Sequence, residues 1–358
     1  MEPRFLIKTH AQVCAPGIFS ILICKCTYPD KSAYPDVVAG RLADIYKRQS
    51  RAFKAAAKFA VLMALRFGFL RDNMTWTWKG QVLNAVLQKV GKAANDDIES
   101  FETDYSLPER LAFLRYYLET EGAIILQIAK RVAERGELKK KDLFQEIRSI
   151  FEEIYEGYLA LHASSRGRKD LKDKVRRIKA DSYNEGTLPH KVIPHIQPLV
   201  YLGVLERCGN GEEVYRPVSL GELSTVEVLV QELKDFRVME TRFSSSDYFA
   251  VVSRLTSPNA VRYQESAHSL MLRNSLILGY SYMRSPTTGM VSIDSLLDWS
   301  CIDMLADHNI EVTRAQVQSY LDGQYKNCPS SLRFHVDYRG KPAYVILDEA
   351  SWPRVDTS

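Results

Sequence analysis

PHIQPLVYLGVLERCGNGEEVYRPV, residues 194 to 218, reads as the end of a helix, a glycine stop, a strand, a tight turn and a second strand. Leu199, Leu202 and Leu205 fall on one side of a short helix and the strand after it, which makes them core residues. Gly203 supplies the left-handed residue that ends a helix. Val204–Arg207 and Glu213–Val218 can then pair across Gly209-Asn210-Gly211, residue types that tolerate positive φ. Pro194 and Pro198 stand four apart, and a proline inside a helix removes a hydrogen bond, so the helix before the glycine is expected to be short or broken.

Working outward, the segment 141–162 carries Leu143, Phe144, Ile147, Ile150, Phe151, Ile154, Tyr155, Tyr158 and Leu159 at steps of one, three and four, which predicts a helix with one broad apolar face. Residues 95–109 hold six acidic groups and no basic one, the composition of a solvated connector. Ser106-Leu-Pro-Glu109 has capping-box spacing, so a helix starts there, and a second helix is expected from Gly122 to Arg135. Residues 222–282 read as mostly helical. In the last part, Ser292–Ala306 reads as a helix, Thr313-Arg-Ala-Gln316 caps another, and LRFHVD and PAYVIL form two strands around Tyr338-Arg339-Gly340-Lys341.

The same local grammar occurs earlier. Phe67-Gly68-Phe69-Leu70 aligns with Leu202-Gly203-Val204-Leu205, and alternating Thr75-Trp76-Thr77-Trp78 stands where the second ribbon strand would be, with both tryptophans on one face. In this repeated pattern of helix, glycine stop and ribbon the chain resembles the winged-helix superfamily, over residues 16–80 and 141–218 and less closely over 263–348. The fold class expected is mainly α with short β-hairpin wings, as tandem winged-helix modules joined by helical segments. A chain of 358 residues exceeds the ~250 to 300 at which single cores stop growing, and three parts are expected: 1–94, 95–220 and 221–350.

The resemblance implies that the helix before each wing positions the module on nucleic acid and that basic wing residues touch the backbone or minor groove. Net charge is only +4, so its distribution decides more than its total. Between residues 41 and 71 eight cations, Arg48 among them, face one acid, and Arg51, Lys54 and Lys58 at i, i+3 and i+7 form a stripe on a helix spanning 51–66. The segment 166–180 holds eight basic groups against two Asp, including Arg168, Lys169, Lys172, Arg176, Arg177 and Lys179. His190, Lys191, His195 and Gln197 are further groups facing DNA, and the last wing carries Arg333, His335, Arg339 and Lys341, suited to phosphate contact. Each of these runs also has the plain reading of a solvated surface, the segment 166–180 less so than the stripe on 51–66.

The sequence holds no phosphate-binding glycine loop, no dinucleotide fingerprint, no H-E-x-x-H and no nucleophile elbow. Asp337, Asp348 and Glu349 lack the E-x-K of a metal nuclease, and six scattered cysteines give neither a zinc site nor a disulfide framework. The longest uncharged apolar run, residues 59–65, is far below the ~20 residues that cross a bilayer. The expectation is a cytoplasmic, non-catalytic protein without metal or cofactor. Duplex DNA is its partner, and it serves as the DNA-positioning or regulatory subunit of a prokaryotic DNA-processing, mobile-element or antiviral defence complex. A protein–protein scaffold built from the same modules, without DNA contact, stands as the alternative.

Overall fold

The computed structural model describes residues 35–45, 50–92, 105–161, 169, 171–173, 176, 188–209, 213–233 and 247–348. They are mostly helical, with small separate groups of short strands. The chain divides into two compact units: a central unit from Phe113 to Pro258, and a composite unit made of the described residues up to Ala112 and from Asn259 onward.

In the central unit α4 (Leu107–Arg135, which starts in the composite unit) leads to β1 (Leu138–Lys139) and α5 (Lys140–Leu161). Then follow α6 (Leu188–Tyr201), β2 (Leu205–Cys208), β3 (Val214–Pro217), α7 (Thr225–Leu233) and α8 (Asp247–Thr256). The helix α4 is one unbroken element of 29 residues, not two: Gly122 sits in its interior, flanked by buried Glu121 and Ala123, and packing overrides the glycine's weak helix preference. Its start is the expected cap, with Ser106 donating from both its backbone N and its hydroxyl to Glu109. The apolar stripe of α5 is buried at Leu143, Ile147, Ile150, Phe151, Ile154, Tyr155 and Tyr158.

Three prolines lie within α6, at 189, 194 and 198, and the helix runs through them. Each removes one donor, but Ile196 and Leu199 are buried and α6 packs on α5, so tertiary packing offsets the missing bonds. The expected break is therefore corrected to a continuous helix. It ends as expected. Gly203 has φ +73°, its N–H donates to Val200 O at 3.0 Å, and Val204 N donates to Leu199 O at 2.8 Å, the paired bonds of a Schellman stop. Leu199, Leu202 and Leu205 are all buried. Leu202→Ala should lower stability by about 3 kcal/mol through lost burial and a residual cavity, read from the denaturant midpoint; an unchanged midpoint would contradict this packing.

The composite unit contains α1 (Pro35–Ile45), α2 (Arg51–Arg66) and α3 (Trp78–Lys89). Its later part is β4 (Val261–Arg262), α9 (Glu265–Met283), β5 (Val291–Ser292), α10 (Ile293–His308), β6 (Ile310–Glu311), α11 (Arg314–Asn327), β7 (Leu332–Val336) and β8 (Pro342–Leu347). α10 is the most buried helix, and α3 and α9 pack against it. Lys89 at the end of α3 bonds Asp303 and, at 2.7 Å, Asp307; burial disfavours its charge, yet these carboxylates hold its pKa above the usual lysine value.

α2 stops as α6 does. Gly68 has φ +71°, with Phe69 N to Ala64 O at 2.8 Å and Gly68 N to Leu65 O at 3.1 Å. After the stop the two copies diverge. Only an isolated bridge, Leu70 to Trp76, replaces the ribbon, and Thr77 caps α3, so Trp78 begins a helix and does not lie on a strand face. The chain then closes in one way in both places. The Thr77 hydroxyl donates to Gly68 O, with Phe69 O at 3.2 Å, and the Thr225 hydroxyl donates to Val204 O, each tying the following helix to the glycine stop.

Two three-stranded antiparallel sheets share one strand order. In the central unit it is β1-β3-β2 and in the composite unit β5-β8-β7: a two-residue strand comes first, and the returning strand of the hairpin takes the middle. Among the described residues no helix is long and apolar enough to cross a membrane.

Candidate nucleic-acid interface

The β7–β8 hairpin alternates as a half-buried ribbon should. Leu332, Val345 and Leu347 are buried, with Phe334 half-buried between them, whereas Arg333 and His335 are exposed and Tyr344 is 47% exposed. His335 pairs with Tyr344 and Arg333 with Ile346, so a guanidinium, an imidazole and a phenol ring share the outer face. A register shift between His335 and Val336 then turns the tip, where Val336 is 61% exposed.

The tip is held by one carboxylate. Asp337 Oδ1 accepts from Arg339 N at 2.8 Å and Lys341 N at 3.0 Å, Asp337 N donates to Lys341 O at 2.8 Å, and Gly340 takes φ +75°. Asp337 is thus a turn acceptor; Glu349 lies outside the described residues, among which no group of three metal-ligating side chains occurs. The turn presents Tyr338, 87% exposed, with the Arg339 guanidinium 5.0 Å from its ring centre. Among the described residues none of Arg333, Arg339 and Lys341 is in an ion pair.

α11 stands before this hairpin. The expected capping box is present: Thr313 Oγ1 accepts from Gln316 N at 3.2 Å and the Gln316 side chain accepts from Thr313 N at 2.9 Å. Ala315, Ser319 and Lys326 are exposed, as is Tyr325 beside Phe334, and Gln318 donates to Asp322 at 2.8 Å. This face is polar and nearly neutral, unlike the hairpin. The first residue, Arg314, is buried and bonds Asp294 and Asp298.

The hairpin of the central unit has the same strand order and a different charge balance. Arg207 meets Glu213 at 2.5 Å, Lys140 meets Glu213 at 2.7 Å, and Arg216 meets Glu137 at 2.8 Å. The hydrogen bond from Lys140, with those of Tyr215 and the charge of Arg207, holds Glu213 below the usual carboxylate range against the effect of burial. Burial, reinforced by Glu213, pushes the Tyr215 hydroxyl well above its ordinary value. Lys140, Arg207 and Arg216 therefore each have an acidic neighbour.

The remaining expected contacts sort unevenly. Arg51 and Lys54 are exposed on α2, whereas Lys58 meets Asp36 at 2.6 Å and its charge is compensated. Lys169 and Lys172 are exposed, as is Arg176, which bonds Asp173 at 3.1 Å. Arg48, Arg168, Arg177 and Lys179 lie outside the described residues, as does the side chain of Lys191 in α6. His195 is not a DNA contact. It is 1% exposed, edge-on to Phe151, with Nδ1 3.8 Å from Glu121 and its carbonyl accepting from Tyr117. Gln197 is occupied with the Tyr201 hydroxyl at 2.6 Å. Tyr338 and Tyr344, exposed beside those basic residues, were not among the expected contacts, although the sequence interleaves them with Arg333, His335, Arg339 and Lys341.

No protein-family model, curated protein or solved structure matches this chain.

Proposed function

We propose that this is a non-catalytic DNA-binding protein of the cytoplasm, built from tandem winged-helix modules. In this reading it is the DNA-positioning or regulatory subunit of a prokaryotic DNA-processing, mobile-element or antiviral defence complex. The observation that supports the reading is the β7–β8 hairpin, which follows a two-residue strand and two helices and carries Arg333, Arg339 and Lys341 exposed along its edge. Phosphates attract such groups by counterion release, and the polar face of α11 bears exposed Ser319, whose hydroxyl can meet a base edge. A helix of 14 residues is ~21 Å long, a length that a major groove accommodates.

Reversing Arg333, Arg339 and Lys341 to Glu should weaken duplex binding and flatten the dependence of log affinity on log salt by about 0.9 per lost contact. Reversing Arg51 and Lys54 tests the α2 stripe in the same assay. All five residues are exposed, so melting temperatures should stay near the parent's. Parent-like affinity and salt slope in both variants at low salt would end the DNA-binding reading.

A second reading applies to the central unit. Its hairpin is neutralised from within by Glu137 and Glu213, which suits a protein-facing surface better than a phosphate backbone. Reversal of Arg207 and Arg216 should therefore leave DNA affinity unchanged.

A further inference from the structure

We infer that the β7–β8 hairpin takes unpaired bases, so that its ligand is DNA with a single-stranded stretch beside a duplex; this rests on the DNA-binding reading above. Phosphate attraction alone requires cations and no aromatics. This hairpin has both, in alternation: Arg333, His335 and Tyr344 on its outer face, then Tyr338, Arg339 and Lys341 at the tip.

Tyr338 is the more exposed of the two tyrosines on the hairpin, and the backbone of the turn sets where it projects. The Asp337 carboxylate bonds to both Arg339 N and Lys341 N, fixing the turn that projects the ring. Arg339 lies against that ring, which brings a cation to the place where a base would stack. Tyr344, across from His335 on the adjoining outer face, offers a second aromatic surface along the same ribbon.

A ring presented this way can stack on a second π-face. Inside a duplex each base is already stacked on both faces, and opening a step costs energy. An unpaired base has a free face and stacks on an aromatic side chain without regard to sequence. Arg333, Arg339 and Lys341 would hold the phosphates on either side of that base.

The test uses the full chain and fluorescence anisotropy with two probes of equal nucleotide number, a blunt duplex and a duplex with two unpaired arms. The parent should bind the forked probe about five-fold or more tightly than the blunt one, the range expected for a single base stacked on an aromatic ring. Tyr338→Ala should remove that preference while leaving blunt-duplex affinity and the melting temperature unchanged, and Tyr338→Phe should keep it. Equal binding of both probes by the parent, a preference that survives Tyr338→Ala, or equal weakening of both probes by that substitution overturns this inference and leaves the DNA-binding reading standing. Absence of binding to either probe removes both.

Discussion

Replacing Arg314 with alanine should cost about 3 to 5 kcal/mol of stability, because it strips a guanidinium from the buried Asp298 carboxylate. Arg314 opens α11, is itself buried, and bonds Asp298, which is fully buried, and Asp294. Its guanidinium also lies 5.6 Å from the Trp78 ring centre. Both acids project from α10 four residues apart, so one arginine ties the start of α11 to one face of α10. Removing it leaves the Asp298 carboxylate in a low-dielectric site without its main counter-charge, and that penalty exceeds what the pair contributes when intact. Arg314→Ala combined with Asp298→Asn should recover part of the loss, since a neutral amide is cheaper to bury than a carboxylate. Denaturant midpoints give both numbers. A loss below ~0.5 kcal/mol for the single variant would show that α11 is held by its apolar contacts alone.

The sequence disclosed the local devices and concealed the long-range ones. Caps, glycine stops and hairpins depend on residues a few positions apart, and Ser106, Thr313, Gly68 and Gly203 do what their spacing indicates. Arg314 gives no such signal. It reads as a surface cation at a helix start, and its partners lie 16 and 20 residues upstream. The same holds for the central hairpin, whose arginines look available for phosphate until Glu137 and Glu213 are brought against them. The continuity of α6 through Pro194 and Pro198, and of α4 through Gly122, follows from burial that local propensity does not encode. In the last hairpin, by contrast, the basic residues were legible because alternation along a strand fixes which side chains face outward.

Truncating Trp299 to alanine should be as costly, about 3 to 5 kcal/mol, and its partner Gly279 makes the reason testable. Trp299 is fully buried on α10, edge-on to Tyr282, with Nε1 donating to Ser275 O at 2.9 Å and the Lys89 ammonium 5.7 Å from its ring centre. It touches α9 where that helix has no side chain. A Cβ on Gly279 would stand 2.3 Å from Trp299 Cδ1 and 2.6 Å from Nε1, distances that no packed methyl group reaches. Gly279→Ala must therefore push the indole off its bond to Ser275 or separate the helices, at about 1 to 3 kcal/mol. In a Trp299→Leu background that clash partner is gone, so adding Gly279→Ala should cost at least ~1 kcal/mol less than it does in the parent. The outcome bears on function because α10 also carries Asp294 and Asp298, the residues that hold α11 in place before the hairpin. Strictly additive effects of the two substitutions would show that the glycine serves the helix backbone and not the indole, and α9 would then lose its part in placing α10.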